Sequence, residues 1–239
     1  MAKTGSFEFY DNYAESAQKI QPEYYDEIRR ILDNEFRIFF NKYNRRPCVL
    51  DIGSAGLLPY NLKLTEKVII FDLFKKPDNL QLDPKCDWIT GDILSDESPS
   101  QLLKIRKFDF IIISSVLHHL CNEKNEIIKN LETCFYHSGL LLTNNGKICI
   151  FESTCPEMLT KIEDLCYPLY SKILIKVLKL TYVRMVAIKE IITSLKKEGL
   201  ISEIIPFKQP QYIAQMYWRV PTRFYPLEID AIFAYHDKN

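Results

Sequence analysis

The chain has no CxxC pair, no excess of either charge sign, no bilayer-length apolar run and no leader-like start, and each absence closes off a class of protein. Its seven cysteines are odd in number and scattered. Neither a disulfide framework nor a zinc or other metal site is expected from them, and the usage suits a reducing, cytoplasmic compartment. Lys plus Arg and Asp plus Glu both total 31, which argues against nucleic-acid binding through a broad basic field. No apolar run approaches the ~20 residues that span a bilayer. The opening MAKTGSFEFYDNY is not built like a signal peptide.

With 239 residues, 47% of them hydrophobic and 26% charged, the chain suits one large globular domain over 1–239. The stretch that organises it is 47–58, PCVLDIGSAGLL. A short apolar strand delivers Asp51, and then Gly53, Ser54, Ala55 and Gly56 make a small-residue turn before an apolar segment expected to be a short helix. A strand ending in a glycine turn brings backbone N–H groups to a ligand at the carboxyl edge of a parallel sheet. Glycine serves there because a β-carbon would block the left-handed conformation or the ligand's approach.

Before this strand, Phe7, Phe9, Tyr10 and Tyr13 form an aromatic arm, and 23–43 repeats apolar residues at spacings of three and four, as an amphipathic helix does. Residues 1–43 thus read as a helical arm and cap that packs on the sheet, its aromatic part free to fold over a ligand. The second strand, 68–71, ends in Asp72-Leu73, 21 positions after Asp51. An acid at that spacing is placed to accept both ribose hydroxyls, or else it caps or solvates the strand end. A short third strand ends at Gly91-Asp92-Ile93, where an acid and an apolar neighbour can hold an adenine; Asp96 is a candidate cap for a helix over 99–105.

Residues 108–115, FDFIIISS, read as a buried central strand followed by Val116-Leu117-His118-His119. A helix is expected from Asn122 to Phe135, a turn at Asn144-Asn145-Gly146, and a fifth strand over 147–152 ending in Glu152. Residues 156–184 break the rhythm with a long apolar-basic helical insertion that Pro168 should kink or break. A helix over 187–198 stopped by Gly199 and strand-like runs at 201–207 and 229–235 point to an antiparallel hairpin finishing the sheet. The fold expected is α/β: a Rossmann-like seven-stranded sheet, mostly parallel, with helices on both faces and a helical lid.

Taken together, VLDIGSAG, IIFDLF, ITGDI and FDFIIISSVLHHL resemble the successive motifs of the class I S-adenosylmethionine-dependent methyltransferases, over roughly 35–239. The SSVLHHL wording is similar to the small-molecule group that includes the ubiquinone and menaquinone C-methyltransferases. The resemblance implies S-adenosylmethionine as cofactor, S-adenosylhomocysteine as product, and a small hydrophobic or aromatic acceptor, methylated on O, N or C. It puts Asp51, Gly53, Ser54 and Gly56 at the methionine part of the cofactor, Asp72 on the ribose and Leu73 beside the adenine. Asp92 and Ile93 would bind the adenine, Ser114 would line the sulfonium, and Tyr13 would close over the site. Ala55 and Leu57 stand where the family usually has its second and third glycines. A repurposed member, such as a cyclase or a cofactor-binding scaffold, and a macromolecule methyltransferase are the alternatives. A nicotinamide dehydrogenase needs G-x-G-x-x-G, and from Gly53 two of its three positions fail.

For catalysis, His119 and His118 are the candidate bases, since imidazole titrates near neutrality, with one at most expected to face the pocket. Glu152 is a candidate for orienting a polar substrate. The insertion has three readings besides packing on its own domain: closing a hydrophobic pocket, pairing two subunits, or resting on a membrane surface. Tyr167, Tyr170, Tyr182, Tyr212, Tyr217 and Trp218 lie in this variable part.

Overall fold

A computed structural model of the chain describes residues 22–176, 182–208 and 227–237. The strands are β1 (Cys48–Ile52), β2 (Lys67–Asp72), β3 (Cys86–Thr90), β4 (Phe108–Ser114), β5 (Leu142–Thr154), β6 (Leu200–Ile205) and β7 (Glu228–His236). They form one sheet in the order β3-β2-β1-β4-β5-β7-β6. The first five run parallel, and β7 lies antiparallel between β5 and β6. The expected architecture, terminal hairpin included, is the one formed.

Alternation along the strands sends side chains to two layers. Val49, Val68, Ile70, Phe110, Ile112 and Phe151 face α1 (Pro22–Tyr43), whose Ile28, Leu32 and Phe36 are fully buried. Phe36 meets Phe110 and Tyr60 edge-on, with ring centroids 5.0 and 5.5 Å away. Leu50, Ile69, Phe71, Ile111, Ile113 and Ile150 fill the other face. Helices α2 (Glu97–Leu103), α3 (Ile127–Leu141) and α5 (Ile188–Lys197) cover it through Leu102, Leu131, Phe135, Ile191 and Leu195. The insertion forms α4 (Glu157–Lys176).

Several local expectations are corrected. No α-helix follows β1; residues 53–66 hold only a turn at 55–56, bends and a 3-10 helix at Leu62–Leu64. Gly53, Gly56 and Pro59 interrupt any helical ladder there. Instead α1 supports the connection, with Asp33 accepting the Asn61 N–H at 2.8 Å. Asn144, Asn145 and Gly146 make no separate turn but lie inside β5, in a bulge where Phe108 pairs with Leu142 and Phe110 with Lys147. The third helix starts at Ile127, not Asn122, because the Asn122 carboxamide turns the loop by accepting from the N–H groups of Lys124 and Glu126. Asp96 stands at the start of α2 but its side chain makes no cap hydrogen bond. Pro168 sits within α4 without ending it. Gly199, with φ +71°, takes the left-handed position after α5, as expected.

Candidate active site

The turn after β1 is bound to its neighbours through backbone. Gly53 has φ +71° and donates its N–H to Phe71 O at 2.9 Å; a β-carbon there would lie 2.7 Å from Val116 Cγ2. Glycine is therefore required twice over, for conformation and for the close approach of the loop after β4. Ala55 and Gly56 also take positive φ, 51° and 83°. Alanine tolerates this less easily than glycine, and its N–H is held by Asp72 Oδ2 at 3.0 Å. The other Asp72 oxygen accepts from Phe74 N at 3.0 Å.

Asp51 is buried at the base of this turn, with Oδ2 accepting the Tyr60 hydroxyl at 2.8 Å. Its Oδ1 and the Ser54 hydroxyl are buried and make no hydrogen bond of ordinary geometry among the described residues, although the hydroxyl stands close enough to favour the charged carboxylate. Burial pushes the Asp51 carboxyl up to about 7 against the nearby Tyr60 and Ser54 hydroxyls, and the charge of Asp72 adds to the rise. Burial also raises Asp72, against the backbone N–H groups that it accepts. Two buried carboxyls whose ionisation is disfavoured, beside two unmet polar atoms, make a site that a cationic, hydrogen-bonding group would satisfy.

The sign of the Asp51 shift has a consequence for stability. A carboxyl raised on folding binds more protons in the folded than in the unfolded state between about pH 4 and pH 7, so its contribution falls as pH rises through that window. Asp51→Asn is expected to melt above the parent chain at pH 8 and with it at pH 4, in scanning calorimetry without ligand.

At the tip of β3, Asp92 is exposed and its Oδ1 accepts from Leu94 N at 2.9 Å. Ile93 turns its side chain into the core, and its carbonyl lies 2.7 Å from His137 Nδ1. Leu73, 51% exposed beside Asp72, is the open apolar surface on this edge. The parallel register places Ile52 beside Phe71 and Asp72 beside Thr90, so Gly53, Asp72 and Asp92 follow one another along the carboxyl edge of β1, β2 and β3.

Beyond β4 the chain makes a polar cluster. The Tyr24 hydroxyl, from α1, lies 3.1 Å from Ser114 Oγ and 2.9 Å from Ser115 Oγ, and Ser115 takes φ +53°. Glu152, fully buried at the end of β5, accepts from Leu117 N at 2.7 Å and Ser153 N at 2.9 Å. Its Oε1 is also 2.8 Å from His118 Nδ1. Glu152 is therefore occupied in holding His118 and the loop after β4. Burial alone would lower the His118 pKa; the charge and hydrogen bond of Glu152, with the charge of Glu163, outweigh it and the net direction is up. His119, its ring 4.1 Å from that of His118, is driven well down by burial and by the His118 charge. The two adjacent histidines are thus tuned in opposite directions.

Helix α4 is fastened beside this cluster. The buried Arg184 guanidinium makes paired hydrogen bonds to Asp164, at 2.9 and 2.8 Å, and to Glu190, at 2.6 and 2.9 Å. Its backbone N–H goes to His118 O at 3.0 Å. The Tyr167 hydroxyl donates to Asn122 O at 2.8 Å. Tyr24, Ser115, Tyr60, Glu163 and Arg184 are absent from the expectations drawn on the sequence. Only the packing of α1 and of the loop after β1 against the sheet brings the Tyr24 and Tyr60 hydroxyls to Ser114 and Asp51. Tyr13, Tyr212, Tyr217 and Trp218 lie outside the described residues.

No protein-family model and no curated protein matches the chain. Solved structures do match its fold. The CurJ carbon methyltransferase is 19% identical with a TM-score of 0.54, over 87% of this chain and 54% of that one. The pyocyanin biosynthetic protein PhzM is 16% identical with a TM-score of 0.54, over 95% of this chain and 62% of that one. A TehB-like S-adenosylmethionine-dependent methyltransferase from Corynebacterium glutamicum is 14% identical with a TM-score of 0.52, over 96% of this chain and 99% of that one. The chain therefore spans about half to two thirds of the first two and nearly all of the third. The shared feature is the fold.

Proposed function

We propose that this chain is an S-adenosylmethionine-dependent methyltransferase that acts on a small hydrophobic or aromatic molecule in the cytoplasm. The observation that carries the reading is the His118–Glu152 pair, set after β4 next to a glycine turn whose Asp51 and Ser54 have unmet polar atoms. The fold shared with solved methyltransferases supports it.

When bound, the cofactor supplies an electrophilic methyl group on a good leaving group, so the protein's task is alignment and proton removal. Asp51 and Ser54 receive the ammonium end, Asp72 the ribose hydroxyls, and Leu73 and Asp92 flank the base. Gly53 and Gly56 let the turn pack against Val116 and Leu80, which a β-carbon at either position would crowd. Ser114 sits at the mouth of β4, where the methyl group would face the acceptor, with its hydroxyl held by Tyr24. His118 is the base: Glu152 takes Nδ1–H and leaves Nε2 to accept a proton from the acceptor atom. The carboxylate fixes the tautomer and stabilises the imidazolium that forms. His119, kept neutral by burial and then by the charge of its neighbour, packs beside it.

The missing helix after β1 separates this reading from a dinucleotide enzyme. A pyrophosphate needs the N-terminus of that helix, whereas adenosylated methionine carries no phosphate and presents an ammonium that Asp51 can meet and ribose hydroxyls from which Asp72 can accept. Removing two hydrogen-bond acceptors from a ribose is costly. Asp72→Ala is expected to weaken S-adenosylmethionine and S-adenosylhomocysteine binding roughly 10- to 100-fold, read by isothermal titration calorimetry.

The same titration tests the whole proposal. Binding of both compounds by the parent chain, with transfer of labelled methyl into small molecules of a cell extract, is the expected result. Binding without transfer into any fraction would mark a repurposed scaffold, the reading favoured by Ala55 and the shortened β1–β2 connection. Label entering RNA or protein would move the acceptor to a macromolecule.

A further inference from the structure

Helix α4 has two unlike faces. Thr160, Tyr167 and Ser171 point inward and are buried, and the acids Glu163 and Asp164 are taken up by Met185 N and Arg184. The opposite face carries Met158, Ile162, Leu165, Leu169 and Ile173, exposed by 68, 52, 83, 67 and 44%. Their spacings of four, three, four and four make one continuous stripe. So many large apolar side chains in one exposed row mark an interaction surface rather than chance exposure.

Charge decides what covers it. Lys161, Lys172 and Lys176, all exposed, flank or end the stripe. The one remaining acid of the helix, Glu157, is already shared between Lys161 at 3.0 Å and Lys189 at 3.1 Å. The outward face is therefore apolar with a basic edge, whose net positive charge comes from Lys172 and Lys176 because Lys161 is paired with Glu157. A second copy is a poor occupant: antiparallel pairing across Leu165 and Leu169 brings the lysines at 161 and 172 of the two helices against each other, and parallel pairing brings the two Lys176 together in the seam. An anionic bilayer surface satisfies both parts, taking the apolar side chains below its headgroups while the lysine ammonium groups stay among them. Among the described residues no helix is long and apolar enough to cross a membrane, so α4 would lie on the surface. The Arg184 and Tyr167 fastenings hold it in place from the other side.

We infer that α4 is a membrane-docking helix that seats the chain on anionic lipid through Leu165, Leu169 and their neighbours, with Lys161, Lys172 and Lys176 at the headgroups. The surface stands apart from the reaction proposed above and does not depend on it.

Vesicle flotation with the full chain tests this. It is expected to float with vesicles of phosphatidylglycerol and phosphatidylcholine, at least about tenfold less with phosphatidylcholine alone, and less at high salt. Leu165→Glu with Leu169→Glu should abolish flotation without lowering the melting temperature, since both positions are open to solvent. Failure of the parent chain to float with anionic vesicles, or equal flotation of the double variant, overturns the inference. So does a dimer, seen by sedimentation velocity without lipid, that the double variant dissolves; that result assigns the stripe to a second copy.

Discussion

His118→Ala is expected to lower methyl transfer about 10²- to 10⁴-fold, the range a positioned general base supplies, while leaving S-adenosylmethionine affinity unchanged. The rate is followed as S-adenosylhomocysteine formed on the acceptor-containing extract fraction, and the affinity by calorimetry. His118 touches none of the cofactor groups assigned to Asp51, Ser54 and Asp72, so the two measurements separate. The pH profile carries a second signature. A base must be neutral to act, and Glu152 and Glu163 raise the His118 pKa against the pull of burial. The rate should therefore fall as pH drops through a value above the usual 6.5. Glu152→Gln removes the charge that raises it and should move this limb to lower pH. His119 is held well below 6.5 by burial and by the charge of its neighbour, so His119→Ala should leave the limb in place. If the limb follows His119 instead, or if His118→Ala turns over normally, the assignment of the base fails.

The second large effect concerns stability. Arg184 is 1% exposed and satisfies two carboxylates at once, each through a pair of hydrogen bonds. Arg184→Ala leaves Asp164 and Glu190 facing each other with the cation gone. Breaking a buried ion pair from one side costs about 3–5 kcal/mol. The side chain of Asp164 is 42% exposed and can recover water, which places the cost near about 3 kcal/mol, the lower end of that range. For a chain of this size that corresponds to roughly 6–12 °C in melting temperature, measurable by scanning calorimetry. Arg184→Lys keeps the charge but not the paired geometry and should fall between the two. Because the Arg184 backbone also binds His118 O, loss of the staple should loosen the loop after β4 and reduce transfer as well. A variant that melts with the parent would show that α4 is held by its other contacts.

Much of the scaffold is legible in the residues themselves. A nearly uninterrupted apolar run such as 108–114, with three consecutive isoleucines at its centre, leaves little choice but a buried strand. The three- and four-residue spacing of Ile28, Ile31, Leu32, Phe36 and Phe39 fixes both the helix and the face it buries. What misled was local chemistry that tertiary contacts overrode. Asn-Asn-Gly reads as a turn but is absorbed as a bulge in β5, and of the kink or break expected at Pro168 the break does not occur, since α4 runs through it.

The site divides along the same line. The order and spacing of the acids at 51, 72 and 92 put them on successive strand tips, because each follows a strand that must run parallel to the last. That much is a property of the one-dimensional pattern. Which of two adjacent histidines is activated is not, since it depends on Glu152, 34 positions away, arriving opposite His118 through the pairing of β4 with β5. The apolar side of the insertion was visible as a stripe, but only its packing decided that the polar side faces the protein and the greasy side faces out. Periodicity is local and survives in the sequence; partnership between distant side chains exists only once the sheet has set its register.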